Sequence, residues 1–369
     1  LCSIVIMNRN CCLVRIRERE GDCSMSCRTS GYNHAFSHIY VERGVEKHPR
    51  TKQILSRFPD AQVIEITHYK DVFNRRRQQY EAQHRSQSLI LAAKTDHFFY
   101  EGAKPCQNFG YDNFYYCSTM MNCIYDCSYC YLKGMYPSGN LVVFVNLEDY
   151  FAELDVLLQK QSMYVCVSYD TDLLALESWV GYAAAWAEYA GKYPNLTLEI
   201  RTKSARQAMW DELPLLSNVV YAFTVSPQKM IAASEKNTPS ARARMECAAE
   251  GMKRGFPVRL CFDPMLYLPG WEVLYMELFT QIDEAFENRN CNWKMLDAVS
   301  VGGFRISKEY MKKIRRVEKE SPVVQFPYVN VGGVYQYPPE LLARMEGYVM
   351  RELVKRMPSE RIFSERNIL

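Results

Sequence analysis

The sequence predicts an α/β fold: a partial (β/α) barrel of about six parallel strands, with a small N-terminal α/β unit and a C-terminal β-hairpin and helix. Three observations lead there. From residue 113 onward, short apolar runs alternate with helix-length segments. Connections of that length suit parallel neighbours joined by right-handed crossovers. The chain has 369 residues, 48% of them hydrophobic, which is enough for a large core without covalent staples.

Taken in order, residues 1–35 hold Cys2, Cys11, Cys12, Cys23 and Cys27 among Arg and Ser without clear periodicity, and read as a disordered or atypical leader. Residues 36–105 form the small N-terminal domain. Its elements are a strand at Ile39-Tyr40-Val41, a helix from Pro49 to Phe58, an alternating strand from Gln62 to Thr67, and an apolar run from Ser88 to Ala93. Residues 106–322 carry the barrel, with strands expected at 113–118, 141–145, 163–167, 196–200, 219–224, 258–262 and 298–301. Helices are expected at 147–159, 173–189, 240–254 and 271–286. Residues 323–369 close the chain with a hairpin around Val331-Gly332-Gly333 and a helix from Pro339 to Met357.

A net charge of +3 excludes a polycation that coats any nucleic acid, although Arg75-Arg76-Arg77 and Lys312 to Arg316 are locally basic. No apolar run reaches the 18 or so residues of a membrane span. Fourteen cysteines suit a reducing compartment, so a cytoplasmic location is expected.

Cys123, Cys127 and Cys130 stand in the run Cys-Ile-Tyr-Asp-Cys-Ser-Tyr-Cys-Tyr, a C-x3-C-x2-C spacing. A [4Fe-4S] cluster is ordinarily held by four thiolates. Three clustered cysteines without a fourth therefore suggest a cluster whose unique iron is left to bind a small molecule, a pattern pointing to radical chemistry. Zinc sites pair two ligand halves, but here Cys106 and Cys117 are wrongly spaced and no histidine follows His97. The loop follows the first strand of the barrel series, where active-site loops of such barrels lie.

The run from Cys123 to Tyr131 resembles the radical S-adenosylmethionine superfamily. Cys-Ser-Tyr-Cys-Tyr-Leu-Lys, followed by Val143 to Asp149, is similar to the spore photoproduct lyase family, as are Ile39 to Glu42, Arg201-Thr202-Lys203 and Pro269 to Glu272 in the same order. The resemblance spans most of residues 37–350. It implies repair of a methylene-bridged thymine dimer in DNA by a 5′-deoxyadenosyl radical, with a [4Fe-4S] cluster and S-adenosyl-L-methionine as cofactors. It also implies that Lys203 and Ser226 hold the cofactor's carboxylate, and that Tyr129 and Tyr131 lie near the radical path, where aromatic packing around the cluster is the competing role. Further implied are a flavodoxin or ferredoxin as electron donor, a monomer, and residence in the spore core of a spore-former.

The chain departs from the family at Tyr169, where many members use a cysteine to return hydrogen to thymine. Strand alternation places Cys166 on the opposite face from Tyr169. Tyr169 itself, or a distant thiol such as Cys117, is then expected to relay the hydrogen atom, or the substrate differs. The family's wedge hairpin is basic, whereas here residues 325–330 and 334–337 hold no Lys or Arg. Tyr328, Tyr335 and Tyr337 are candidates for base stacking or for packing on the barrel, and Arg305, Lys312, Lys313, Arg315 and Arg316 for phosphate contact. Two other readings remain open: a radical enzyme acting on another nucleic acid, nucleoside or peptide, and a non-catalytic iron-sulfur redox sensor or nucleic-acid-binding protein.

Overall fold

The computed structural model describes residues 36–103 and 106–364. The expectation of a leader at 1–35, with its five cysteines, lies outside the described residues.

The larger sheet has eight strands. In spatial order they are Ile362–Ser364, Ala298–Gly303, Val258–Met265, Val219–Thr224, Leu196–Thr202, Met163–Cys166, Phe114–Cys117 and Phe99–Glu101. All neighbours pair in parallel except the last two, which are antiparallel. From Phe114 to Gly303 each successive strand of this sheet is laid beside the previous one in a single direction, the progression of a partial barrel. Six of the parallel strands are those expected, and Ile362–Ser364 adds an unforeseen seventh at the edge. Val219–Thr224 is buried at every residue, as befits a parallel strand covered on both faces.

Leu141–Phe144, expected in the barrel series, belongs elsewhere. It pairs in parallel with Leu89–Ala92 and completes the N-terminal sheet, whose order is Gln62–Ile66, His38–Glu42, Leu89–Ala92, Leu141–Phe144 and Met120–Met121. The chain thus returns to the small sheet after the cysteine loop, crossing the expected boundary at 105/106. The anchor is chemical: Asn140 accepts the Ser88 N–H at one end, and Asn146 exchanges two hydrogen bonds with the Lys94 backbone at the other.

The helix expected over 173–189 is two, Leu173–Val180 and Tyr182–Ala190, broken at Gly181 in the left-handed conformation (φ 70°). The Glu177 carboxylate accepts the Ala183 and Ala184 N–H groups and caps the second helix across the break. Asp172 caps the first by accepting from Ala175 N.

At the C-terminal side, Val329–Val331 and Val334–Gln336 form the expected hairpin, with Gly332 and Gly333 both at positive φ in the turn. Arg305–Ser307 pairs with its inner strand and ties it to the barrel. Tyr328 and Tyr337 pack inward: Tyr337 is fully buried and accepts the Tyr267 N–H at 2.9 Å, and Tyr328 lies 5.4 Å from Phe304. Both are therefore barrel-packing residues and not free base-stacking platforms. Tyr335 stays half-buried beneath the Arg315 guanidinium.

Candidate active site

A cavity of about 520 Å³ opens at the C-terminal ends of the parallel strands. Cys123, Cys127 and Cys130 line it, together with Arg201, Lys203, Thr224, Asp263 and Gly303 from successive strand ends. Placement at that end is what a parallel barrel provides, because each strand delivers its following residues to the same rim.

The cysteine loop is fastened at several points. Asn122, itself in the left-handed region (φ 70°), donates to the Ser138 and Asn140 carbonyls at 2.7 Å. The Cys123 carbonyl accepts from Gln87 and meets the His84 ring, and the Tyr125 N–H donates to Cys123 Sγ at 3.4 Å. Asp126–Cys127 pairs in antiparallel fashion with Glu235–Lys236. Buried Lys133 answers the loop's Asp126 and also Glu318.

Burial pushes the Cys127 thiol up to about 12 and raises Cys123 and Cys130 as well. A metal takes cysteine as thiolate, a form that nearby positive charge favours. Lys203 supplies it. Burial lowers its pKa, but the charge of Cys127 and then of Glu235 outweighs that, and the net shift is upward. Among the described residues no three His, Cys, Asp or Glu side chains converge on a point where one metal ion would sit. The three free thiols face a common space instead, which suits a multi-iron cluster.

Lys203 is oriented from below by Asp172, which accepts its backbone N–H and the Thr202 hydroxyl, each at 2.7 Å. Its ammonium sits 5.8 Å from the centre of the Tyr129 ring. Ser226 is fully buried with its hydroxyl unpartnered, and Thr224, two residues earlier, reaches the cavity wall in its place.

All three tyrosines singled out by sequence line the cavity, but their hydroxyls differ. Tyr129 donates to Glu235, which also forms a wholly buried ion pair with Arg244. Tyr131 donates to the Tyr169 carbonyl at 2.6 Å and to Asp170 at 3.0 Å. The Tyr169 hydroxyl alone among them meets a thiol, Cys106 Sγ at 3.6 Å, and its ring stacks on Tyr116 at 4.0 Å.

Cys166 also lines the cavity. The strand ends at Cys166, so alternation no longer governs Tyr169, and the opposite-face expectation fails. Cys117, considered as a distant thiol, is fully buried and does not line the cavity. Cys106 itself was passed over because its loop has no periodicity, and its spacing is wrong for a metal ligand. Arg201, Asp172 and Asp170 were missed for a related reason: only their tertiary partners mark them. Arg305 lines the cavity, but Lys313 donates to the Gly134 carbonyl and Arg315 to those of Val324 and Phe326. Those two tie the helix to neighbouring backbone; Lys312 and Arg316 are exposed, as is Lys313.

A family model described as spore photoproduct lyase matches residues 35–321. Spore photoproduct lyase of Bacillus subtilis (strain 168) is 20% identical over 254 residues, 67% of this chain and 72% of that protein. Spore photoproduct lyase of Geobacillus sp. (strain Y412MC61) is 23% identical over 169 residues, 45% of this chain and 50% of the other. Two solved structures share the fold. A spore photoproduct lyase mutant with dinucleoside spore photoproduct gives a TM-score of 0.76 at 18% identity, covering 89% of this chain and 98% of the other. A double mutant with bound AdoMet and the same dinucleoside gives 0.75 at 19% identity, covering 90% and 99%.

Proposed function

This chain belongs to the spore photoproduct lyase family, and from that premise we propose that it reverses the methylene-bridged thymine dimer of damaged DNA to two thymines. The observation that carries the reading is the meeting of Cys123, Cys127, Cys130, Lys203 and Tyr169 around one cavity.

Cys123, Cys127 and Cys130 would hold a [4Fe-4S] cluster, with S-adenosylmethionine bound beside it. When bound, this pair of cofactors would supply a 5′-deoxyadenosyl radical. Lys203 and the unpartnered hydroxyl of Ser226 would hold the methionine carboxylate, since a carboxylate leaving water requires a charged or hydrogen-bonding partner. Tyr129 walls the cluster and is held in place through Glu235 and Arg244. Tyr131 fixes the Tyr169 backbone, and with it the position of the phenol that faces the substrate. The lesion enters as an extruded dinucleotide, which costs least at an already distorted step. A one-electron carrier of the flavodoxin or ferredoxin class feeds the cluster. The enzyme works as a monomer in the cytoplasm, and in a spore-former in the spore core.

The test is anaerobic reconstitution and reduction, followed by S-adenosylmethionine and a dinucleotide spore photoproduct. Thymidylyl-thymidine and 5′-deoxyadenosine are expected. Deoxyadenosine without thymine would redirect the protein to another substrate, and neither product would make it a sensor.

A further inference from the structure

Arg75, Arg76 and Arg77 have no part in the chemistry above. None lines the cavity, all three are exposed, and among the described residues no carboxylate pairs with any of them. A basic run alone is an ordinary solvated face. What sets this one apart is the structure behind it.

The turn is braced onto the cluster loop. Gln78 donates to the Phe73 carbonyl at 2.7 Å and closes residues 74–77 into a short loop, with Arg77 in the left-handed region (φ 61°). The Gln78 amide oxygen accepts from Gln83 at 2.7 Å, and the Gln83 amide oxygen in turn accepts the Gly139 N–H and the Ser138 hydroxyl. The helix that follows, Tyr80–Arg85, lies against the cysteine loop: the Tyr80 hydroxyl donates to Asn122 at 3.2 Å, and the His84 ring meets the Cys123 carbonyl at 2.9 Å. A Cβ on Gly139 would stand 2.5 Å from the Tyr80 carbonyl oxygen, so only glycine allows this approach. Burial raises the Tyr80 phenol, and the Cys130 and then the Cys123 charge raise it further, which marks both sulfurs as near neighbours. Neither Tyr80 nor His84 lines the cavity. One short helix therefore separates the arginines from the cysteines on a side that the substrate does not use.

We propose that Arg75, Arg76 and Arg77 form the docking face for an acidic one-electron carrier, an inference that rests on the cluster assigned to Cys123, Cys127 and Cys130 in the reading above. Electron transfer falls steeply with distance, so a carrier must reach the thinnest cover over the cluster while the cavity stays filled by cofactor and lesion. Redox encounters are small and transient, and opposite charge sets their rates more than contact area does. Three guanidinium groups outside any ion pair, held on a braced turn, supply that field. On docking, one electron passes from the reduced carrier to the cluster, the carrier leaves oxidised by one electron, and no bond forms or breaks. The exposed Lys312 and Arg316 belong instead to a helix whose Tyr310 lines the cavity, which suits them to DNA.

The test follows bleaching of the cluster absorbance by stopped flow in the reconstituted protein, without any lesion present. The probe is a fully reduced bacterial flavodoxin, and photoreduced 5-deazariboflavin serves as a small uncharged reductant that needs no docking face. Flavodoxin is expected to reduce the parent at a rate that falls as salt rises. Arg75→Gln, Arg76→Gln and Arg77→Gln together should lower that rate by about tenfold at low salt and flatten its salt dependence, with the deazariboflavin rate kept. A flavodoxin rate equal to the parent's overturns the docking face, as does a parent that flavodoxin does not reduce. A triple variant slowed alike with both reductants has a disturbed cluster loop, and that too overturns it. Loss of binding to an undamaged duplex, with the flavodoxin rate kept, assigns the arginines to DNA instead. A parent that is reduced through this face yet makes no thymine from the dinucleotide overturns the lyase reading and leaves the docking face standing.

Discussion

Tyr169 and Lys203 follow neighbouring strands and both line the cavity. If the Tyr169 phenol relays hydrogen, its loss harms hydrogen return and spares radical generation. Tyr169→Phe is therefore expected to lower the thymine yield by roughly tenfold while 5′-deoxyadenosine still forms, a split that single-turnover product analysis resolves. An unchanged thymine yield would take the phenol out of the pathway. Lys203 is the cation opposing the Cys127 and Cys130 charges. Lys203→Met keeps the bulk and removes the charge, so S-adenosylmethionine binding by equilibrium dialysis should weaken by about tenfold or more, as expected when a charge-assisted contact is lost. Equal affinity would assign the carboxylate to another group. Neither role was visible as geometry in the sequence. Lys203 was legible because Arg-Thr-Lys lies at a predicted strand end, and Tyr169 because it interrupts a familiar run. Cys106 was illegible, since a loop without periodicity gives no hint of what it folds against.

At the level of single elements, apolar runs revealed the strands but not which sheet each would join. Leu141–Phe144 is buried at every residue, and a short run buried on both faces looks the same in either sheet. Asn140 and Asn146, which hydrogen-bond at its ends to the Ser88 and Lys94 backbones, decide the matter only in three dimensions. The break at Gly181 was hidden for a similar reason, because the apolar pattern continues across it. Its consequence is testable through Glu177, a buried carboxyl that caps Tyr182–Ala190. Burial raises Glu177 from its ordinary 4.5 to about 7, against the Ala184 and Ala183 N–H groups that lower it. The folded state thus favours the protonated form. Stability from this group is fully present below about pH 4.5 and is lost as pH rises through about 7, a change on the order of 3 kcal/mol. Glu177→Gln does not titrate, and its denaturation midpoint should lack the decline that the parent shows between pH 5 and 7. Matching slopes in both proteins would place the titration elsewhere.

At the scale of the whole molecule, one helix links the cavity to a basic surface. Lys308–Val317 buries Met311 and Ile314, and Tyr310 at its start lines the cavity, as does the preceding Ser307. Its charged face was legible as a basic run, but the run conceals two kinds of cation. Lys313 and Arg315 each donate to backbone carbonyls, while Lys312 and Arg316, exposed as Lys313 is, carry no such bond. Because the tyrosines Tyr328 and Tyr337 are packed on the barrel, phosphate attraction falls to such exposed cations and not to an aromatic wedge. Each neutralised phosphate contributes about −0.9 to the slope of log affinity against log salt for duplex DNA. Lys312→Ala with Arg316→Ala is therefore expected to make that slope shallower by about 1.8 for a lesion-bearing duplex. The pair should leave cleavage of a dinucleotide, which has too little backbone to reach the helix, near the parent rate. Lys313→Ala or Arg315→Ala should instead lower thermal stability by loosening the hairpin and the cluster loop, with the salt slope kept. Fluorescence anisotropy at several salt concentrations separates the two sets, and a slope unchanged in the double variant would move the DNA path off this helix.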